Sequence, residues 1–246
     1  MDFSAPSTYA FLAAYFLFSG FSAAAGMGGG MMLMGLMAPL FPPAVVVPLH
    51  GALMLTSNLT RVAMFYKHLP WPFLTPLLLG LVVGCLTGGQ FVLALPPTLV
   101  QAFIGVAMLW FTWGSEPKLP PAWQTRLIAV VGFLHGVIGT LTGTSGLAQS
   151  LIGKQTFHKN AKVASVALNS AVLHALKIGV FLLAGVSLAP YLPLIAISIA
   201  VGMAGTWFGK HVLDTLIPDR WFEVMFKTII TVLALNLLWQ VAQNIL

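Results

Sequence analysis

Residues 20–30 read Gly-Phe-Ser-Ala-Ala-Ala-Gly-Met-Gly-Gly-Gly, and residues 136–146 read Gly-Val-Ile-Gly-Thr-Leu-Thr-Gly-Thr-Ser-Gly. Each stretch ends a long apolar run and precedes a shorter one. Gly26-Met27-Gly28-Gly29-Gly30 cannot propagate a helix cheaply, at roughly 1 kcal/mol per glycine relative to alanine. Gly139 to Gly146 is a break of the same kind, richer in hydroxyls. A shift of 116 positions, the separation of Gly20 and Gly136, carries Gly28-Gly29-Gly30 onto Thr144-Ser145-Gly146. Without a gap it also carries Asn58 onto His174 and Arg61 onto Lys177. With a few residues of drift, Pro76 meets Pro193 and Pro97 meets Pro218. The expectation is a chain of two related halves, residues 1–113 and 123–246, joined by a loop at 114–122. Any two glycine-rich membrane sequences align loosely, but here a charged pair falls in register with the glycine breaks.

Composition sets the solvent. Of the 246 residues, 59% are hydrophobic and 7% charged, with a mean hydropathy of +0.95. A soluble domain carries about 25% charged residues, so this surface faces lipid, where only helices and closed barrels satisfy every backbone polar group. Barrel strands alternate polar and apolar residues, whereas the runs Pro76–Pro96 and Tyr191–Lys210 are continuous. The expected fold is therefore an all-α integral membrane protein of about 8–10 segments, some of them short or re-entrant, in two inverted repeats. In the first half the segments are Ser7–Ala25, a short Gly30–Leu40, Ala44–Tyr66, Phe73–Leu95 and Pro97–Trp113. In the second they are Trp123–Leu141, a short Gly146–Gly153, Ala161–Ala184, Ala189–Val212 and Trp221–Ile245. Whether the short pieces span or return stays open at this level. The net charge of +6 is spread over short loops and is no nucleic-acid footprint. The single Cys85 cannot form an internal disulfide. Only the acidic Asp2 precedes the first apolar run, so no signal peptide is expected.

Orientation follows from the loops. Five passes per half, or three passes and a re-entrant hairpin, invert the second half. One face then receives Lys67, Lys118, Arg126, Lys154, Lys159, Lys162, Lys210 and Arg220, and the other receives Asp2 and no Lys or Arg. The positive-inside rule makes the basic face cytoplasmic and places both termini outside. Four passes per half would scatter the same cations over both faces.

Inverted repeats with broken helices are the architecture of secondary transporters, whose sites lie near the midplane. A half-helix after each break would aim free N–H groups and its positive dipole end at the break, favouring an anion. Arg61 and Lys177 lie inside apolar segments, at a cost of roughly 2.5–3.5 kcal/mol on insertion scales. No Asp or Glu occurs between Asp2 and Glu116 or between Glu116 and Asp214. A cation facing a cavity that receives an anion is one explanation, and snorkelling to the nearer helix end is the rival. Asn58 and His174 precede the two cations by one turn and share their helix faces. His50 and His135 stand in apolar context, where a histidine is more often simply hydrogen-bonded. The methionines 27, 31, 32, 34 and 37 read as flexible packing rather than as a copper site. Gly80-xxx-Gly84-xxx-Gly88 reads as close helix packing. There is no HExxH, no CxxC and no buried Asp pair, which argues against an enzyme, a metal or a cofactor.

The motifs Gly20-Phe21…Gly26-Met27-Gly28-Gly29-Gly30 with Pro39 and Pro42, and Gly132-Phe133…Gly136…Gly139…Gly143-Thr144-Ser145-Gly146, resemble the two half-signatures of the TauE/SafE sulfite exporter family. The stretch Asn169 to Lys177 is similar to the family's sequence downstream of the second signature. The resemblance covers nearly the whole chain. It departs from symmetry where Thr144-Ser145-Gly146 stands opposite three glycines. It implies a secondary transporter in a bacterial inner membrane that exports sulfite or sulfonates such as sulfoacetate by alternating access. The substrate site would draw on Gly28, Gly29, Gly30, Asn58, Arg61, Thr144, Ser145, Gly146, Asn169, His174 and Lys177. A membrane potential negative inside favours anion exit by about 2.3 kcal/mol per charge per 100 mV. Carboxylate-based proton coupling is disfavoured, and a histidine route stays open. An importer of a similar anion and a non-transporting subunit of a membrane complex are the rival readings.

Overall fold

The computed structural model describes residues 6–25, 28–114, 127–142, 152, 155, 157–209, 211 and 219–244. Among them there is no strand. The first half forms α1 (Pro6–Ala25), α2 (Gly29–Met37), α3 (Pro43–Phe65), α4 (Trp71–Ala94) and α5 (Pro97–Trp113). The second forms α6 (Ile128–Thr142), α7 (Lys159–Leu183), α8 (Leu192–Phe208) and α9 (Asp219–Gln243). Pro43 and Pro97 open their helices, where a missing N–H costs nothing. Five of these helices are long and apolar enough to cross a membrane: α1, α4, α7, α8 and α9. Helix α3 has the length, at 23 residues, but its polar residues lower its hydropathy. The bounds agree with the sequence reading to within a few residues, apart from α6 and α8. Helix α6 opens at Ile128, and residues 115–126 lie outside the described residues. Helix α8 opens at Leu192 rather than Ala189, after a 3₁₀ turn at Ala189–Tyr191 set by Pro190 and Pro193.

Helix α2 has nine residues, about 14 Å at 1.5 Å per residue, against a hydrocarbon core about 30 Å thick. By itself it covers about half of that thickness. Gly29 lies against Phe18 and Ser22 near the end of α1. Phe41, just past the end of α2, meets Phe11 near the start of α1, with ring centroids 6.3 Å apart. Gly28 has φ 94°, a left-handed turn that only glycine adopts freely, and it reverses the chain between the two helices. The corresponding short segment of the second half, Gly146–Gly153, lies outside the described residues except for Ile152.

Glycines set the closest helix contacts. Gly80, Gly84 and Gly88 of α4 lie against Ala129, Phe133 and Val137 of α6, while Gly132 and Gly136 of α6 lie against Leu77 and Leu81 of α4. The two helices run parallel with backbones touching, the small-residue packing that lipid-embedded helices use in place of a hydrophobic drive. Helix α8 packs on α1 in the same way, with Gly202, Gly205 and Gly209 against Tyr15, Phe16 and Gly20. Helices α3 and α7 form a third close pair, and α5 and α9 a fourth. The main core gathers Met31, Met32, Met34 and Met37 of α2 with Leu49, Leu53, Phe181, Ile230 and Leu237. Exposed apolar residues such as Leu79, Val83, Trp110, Val232 and Trp239 form the outer surface.

The turns segregate by charge. Phe73 meets Phe157, with ring centroids 5.3 Å apart, so Lys67 lies at the same end as Lys162. Phe21 stacks on Phe226, which brings the Arg220 end of α9 to the end of α1. The opposite end carries the turns at 38–42, 95–96 and 184–191, none with a Lys or Arg.

Substituting Gly84 by leucine drives a side chain into the Phe133 backbone and is expected to cost at least 1–3 kcal/mol, roughly the usual penalty of overpacking. A methyl group added at Gly179 would meet nothing within 4 Å, so Gly179→Ala should leave stability within about 0.5 kcal/mol or raise it slightly. Melting of the two purified variants in detergent checks the contrast, and equal melting would contradict the packing assignment.

Candidate functional site

Helix α7 carries Lys177 into the middle of the molecule with no exposed surface. Its Nζ donates to Nδ1 of His50 at 3.5 Å. Nε2 of the same imidazole lies 2.8 Å from the Gly30 carbonyl oxygen. A carbonyl only accepts, so Nε2 carries the proton and Nδ1 offers its lone pair to the lysine. The chain Lys177–His50–Gly30 thus ties a buried cation on α7 through α3 to the first turn of the half-helix α2. The local geometry comes from the glycines. Gly51 lets the His174 backbone approach α3, and the turn at Gly28 delivers the N-terminus of α2 to the level of His50.

A second shell of polar groups surrounds this chain. The His174 ring stands edge-on to His50, with centroids 5.4 Å apart, and its Nδ1 is buried without a partner among the described residues. The Asn169 side-chain amide donates to Nε2 of His135 at 2.9 Å, while its Oδ1 is buried and unpartnered among the described residues. Thr140 donates to the Gly136 carbonyl at 2.7 Å and lies 3.1 Å from Cys85 Sγ. Lys177 lies within electrostatic reach of His50, His135, His174 and Cys85. No carboxylate approaches the cluster among the described residues, where Glu223 pairs with Lys227 on α9. A leftover buried polar atom costs about 1–3 kcal/mol, so two together mark a place where a ligand or water completes the bonding.

Arg61 is half-buried farther along α3. Its Nη2 donates to Asn58 Oδ1 at 3.0 Å and its Nε to the Ser57 carbonyl at 3.5 Å. Both partners lie one turn back along the helix, so the guanidinium folds toward the interior and does not snorkel to the Tyr66 end. Asn58 in turn donates to the Met54 carbonyl at 2.9 Å. Ser57 Oγ reaches Thr206 on α8 at 3.4 Å.

The structure therefore gathers Gly30, Asn169, His174 and Lys177 around one centre, with Gly28 and Gly29 in the turn before Gly30 packed on Phe226, Phe18 and Ser22, and sets Asn58 and Arg61 in a neighbouring polar patch on α3. Thr144, Ser145 and Gly146 lie outside the described residues. His50 and His135 are the additions. The sequence reads them as bundle histidines, and the signal that could have found them is that both are polar residues inside otherwise apolar runs. Met31, Met32, Met34 and Met37 of α2 form core, and among the described residues no three His, Cys, Asp or Glu side chains are grouped to hold an ion.

A family model described as Sulfite exporter TauE/SafE matches residues 11–237. No curated protein and no solved structure matches the chain.

His50→Leu removes the partner of both Lys177 and the Gly30 carbonyl. It should destabilise the protein by about 2–5 kcal/mol, chiefly the cost of a buried ammonium left without its partner, since the Gly30 carbonyl keeps its helical bond. Lys177→Met removes a charge with no counter-ion and fills the same volume, so it should be nearly neutral, within about 2 kcal/mol. Chemical or thermal unfolding in detergent would show the order; a greater loss for Lys177→Met would count against the uncompensated-charge reading.

Proposed function

The chain belongs to the TauE/SafE sulfite exporter family, whose members are membrane transporters of sulfite or related anions, and on that premise we propose that it exports sulfite or small organosulfonates by alternating access around Lys177. The observation that carries the reading is a fully buried lysine whose described partner is a histidine and which has no carboxylate beside it among the described residues. Burying an unpaired ammonium costs several kcal/mol even after relaxation. An oxyanion resting on Nζ would offset that cost and would give His174 Nδ1 a hydrogen-bonding partner. The first N–H groups of α2, at Gly29 and Gly30, have no intrahelical acceptor and add a positive helix end on the same side. Arg61 and Asn58 would receive the anion on the basic side of the bundle. Thr144, Ser145 and Gly146 would supply the matching break of the second half.

Two inverted repeats form the frame of this proposal. The pairing supports it: the first helix of each half packs through glycines on the fourth helix of the other half, α1 with α8 and α6 with α4. The third helices pack on each other, as do the fifth. Such exchange is what a two-fold axis in the membrane plane produces. The end bearing Lys67, Lys162 and Arg220 would face the cytoplasm of a bacterial inner membrane, with both termini outside.

In proteoliposomes loaded with sulfite or sulfoacetate, the wild type should release the anion down its gradient, faster than sulfate or chloride. Lys177→Met should lower the flux by roughly 100-fold, the loss expected on truncating one partner of a buried charge pair. Arg61→Ala should lower it less. Wild-type flux that Lys177→Met leaves intact would remove the lysine from the site. A membrane-impermeant thiol reagent should label Lys67→Cys only from the cytoplasmic side.

A further inference from the structure

The hydrogen bonds around His50 have a consequence for what travels with the anion. With Nε2 donating to the Gly30 carbonyl at 2.8 Å, Nδ1 is a bare lone pair, and it is satisfied by Lys177 Nζ at 3.5 Å. An anion arriving at Nζ competes for that same ammonium. If it takes the proton that Nζ shares with His50, the Nδ1 lone pair is left in a dry site, pointing at negative charge. Two like-signed electron-rich atoms in contact repel, and a lone acceptor in the interior is costly. Adding a proton to Nδ1 reverses the sign: the imidazolium then donates to the anion beside the ammonium, while Nε2 keeps its bond to Gly30. Without the anion that proton is unfavourable, because it would set two cations face to face at 3.5 Å. Proton and anion thus favour each other's binding reciprocally.

We propose that the protein binds one proton, at Nδ1 of His50, together with each anion, and so cotransports protons with its substrate. The proton comes from bulk water and no covalent bond to the substrate is made. The titratable groups facing His50 fit this assignment. Lys177 and His174 from α7 stand against His50 itself, His135 from α6 and Cys85 from α4 lie within electrostatic reach of Lys177, Arg61 within reach of His174, and Tyr15 on α1 reaches α3 at Leu53. Tyr15 is engaged by the Leu53 carbonyl, and His135 Nε2 by Asn169. His174, whose ring edges against His50, has an Nδ1 unpartnered among the described residues and is placed to hand the proton on. Among the described residues no carboxylate competes for the role. A monovalent sulfonate would then move without net charge, and a dianion would move a single negative charge.

The proposal rests on the anion-transport reading, and one pair of measurements separates their failures. Methanesulfonate is the probe, because it stays monovalent throughout the working pH range and any proton counted belongs to the protein. Calorimetric titration in buffers of different ionisation enthalpy should give one proton taken up per methanesulfonate bound. His50→Gln should reduce the count to near zero. The exposed-loop variants His68→Gln and His158→Gln should keep it at one. In proteoliposomes an inward methanesulfonate gradient should acidify the lumen with wild type, and an imposed potential should not change the rate. Binding and flux without proton uptake in the wild type overturn the proposal and leave anion transport standing. A count that persists in His50→Gln overturns the assignment to His50. Neither binding nor flux of methanesulfonate, sulfite or sulfoacetate by the wild type overturns both.

Discussion

A lysine ammonium buried between helices α3 and α7, with no carboxylate beside it among the described residues, is the constraint on which the rest of this molecule depends. The interior of a membrane protein has no water to solvate such a group, and burial of an unpaired charge normally drives a chain to expose it or to supply an acid. Neither happens here. The ammonium rests on the unprotonated nitrogen of His50, and that imidazole is held in its tautomer by a backbone carbonyl of a broken helix. Cation, histidine and helix break are thereby a single unit.

Such a unit needs a frame that holds helices unusually close, and glycine provides it. Where α4 crosses α6, and where α1 crosses α8, backbones touch because no Cβ stands between them. These contacts bury little apolar area, so their strength is in dispersion and in excluding lipid from the seam. They place rigid pairs on either side of the α3–α7 centre. A transporter needs such a division: rigid bodies that can rock, and a polar centre between them whose bonds are few enough to be exchanged for those of a substrate. The methionine-rich flank of α2 suits the same purpose, since thioether side chains repack without a large penalty.

The distribution of charge separates this centre from a carboxylate-based pump. The described acidic side chain Glu223 sits on α9, paired one turn away with Lys227 and exposed. The central groups are cationic, neutral imidazole or hydroxyl. Such a donor-rich, acid-free set of groups is the chemistry that the proposed oxyanion site calls for. Under the proposed cotransport, the membrane potential would act on the net charge of anion and proton together.

Much of this was legible along the chain. Hydropathy and the scarcity of charge settle an all-helical membrane fold, because lipid leaves the backbone no other arrangement. The glycine run ending at Gly30 marks the turn at Gly28, because propensity is a local property, whereas Gly139–Thr142 continues α6 and residues 143–146 lie outside the described residues. The Gly80, Gly84 and Gly88 stripe declares its packing role through its period alone. What tertiary structure decided are the relations that no local signal carries. Helix α2 folds back along α1 from Ser22 toward Phe11, which depends on the turn at Gly28. Arg61 folds inward to Asn58 instead of reaching for its helix end. His50, an unremarkable polar residue in an apolar run, is the partner of a lysine 127 positions away. Composition and period are read along one dimension, whereas the bond between His50 and Lys177 exists only once two antiparallel helices have chosen their register.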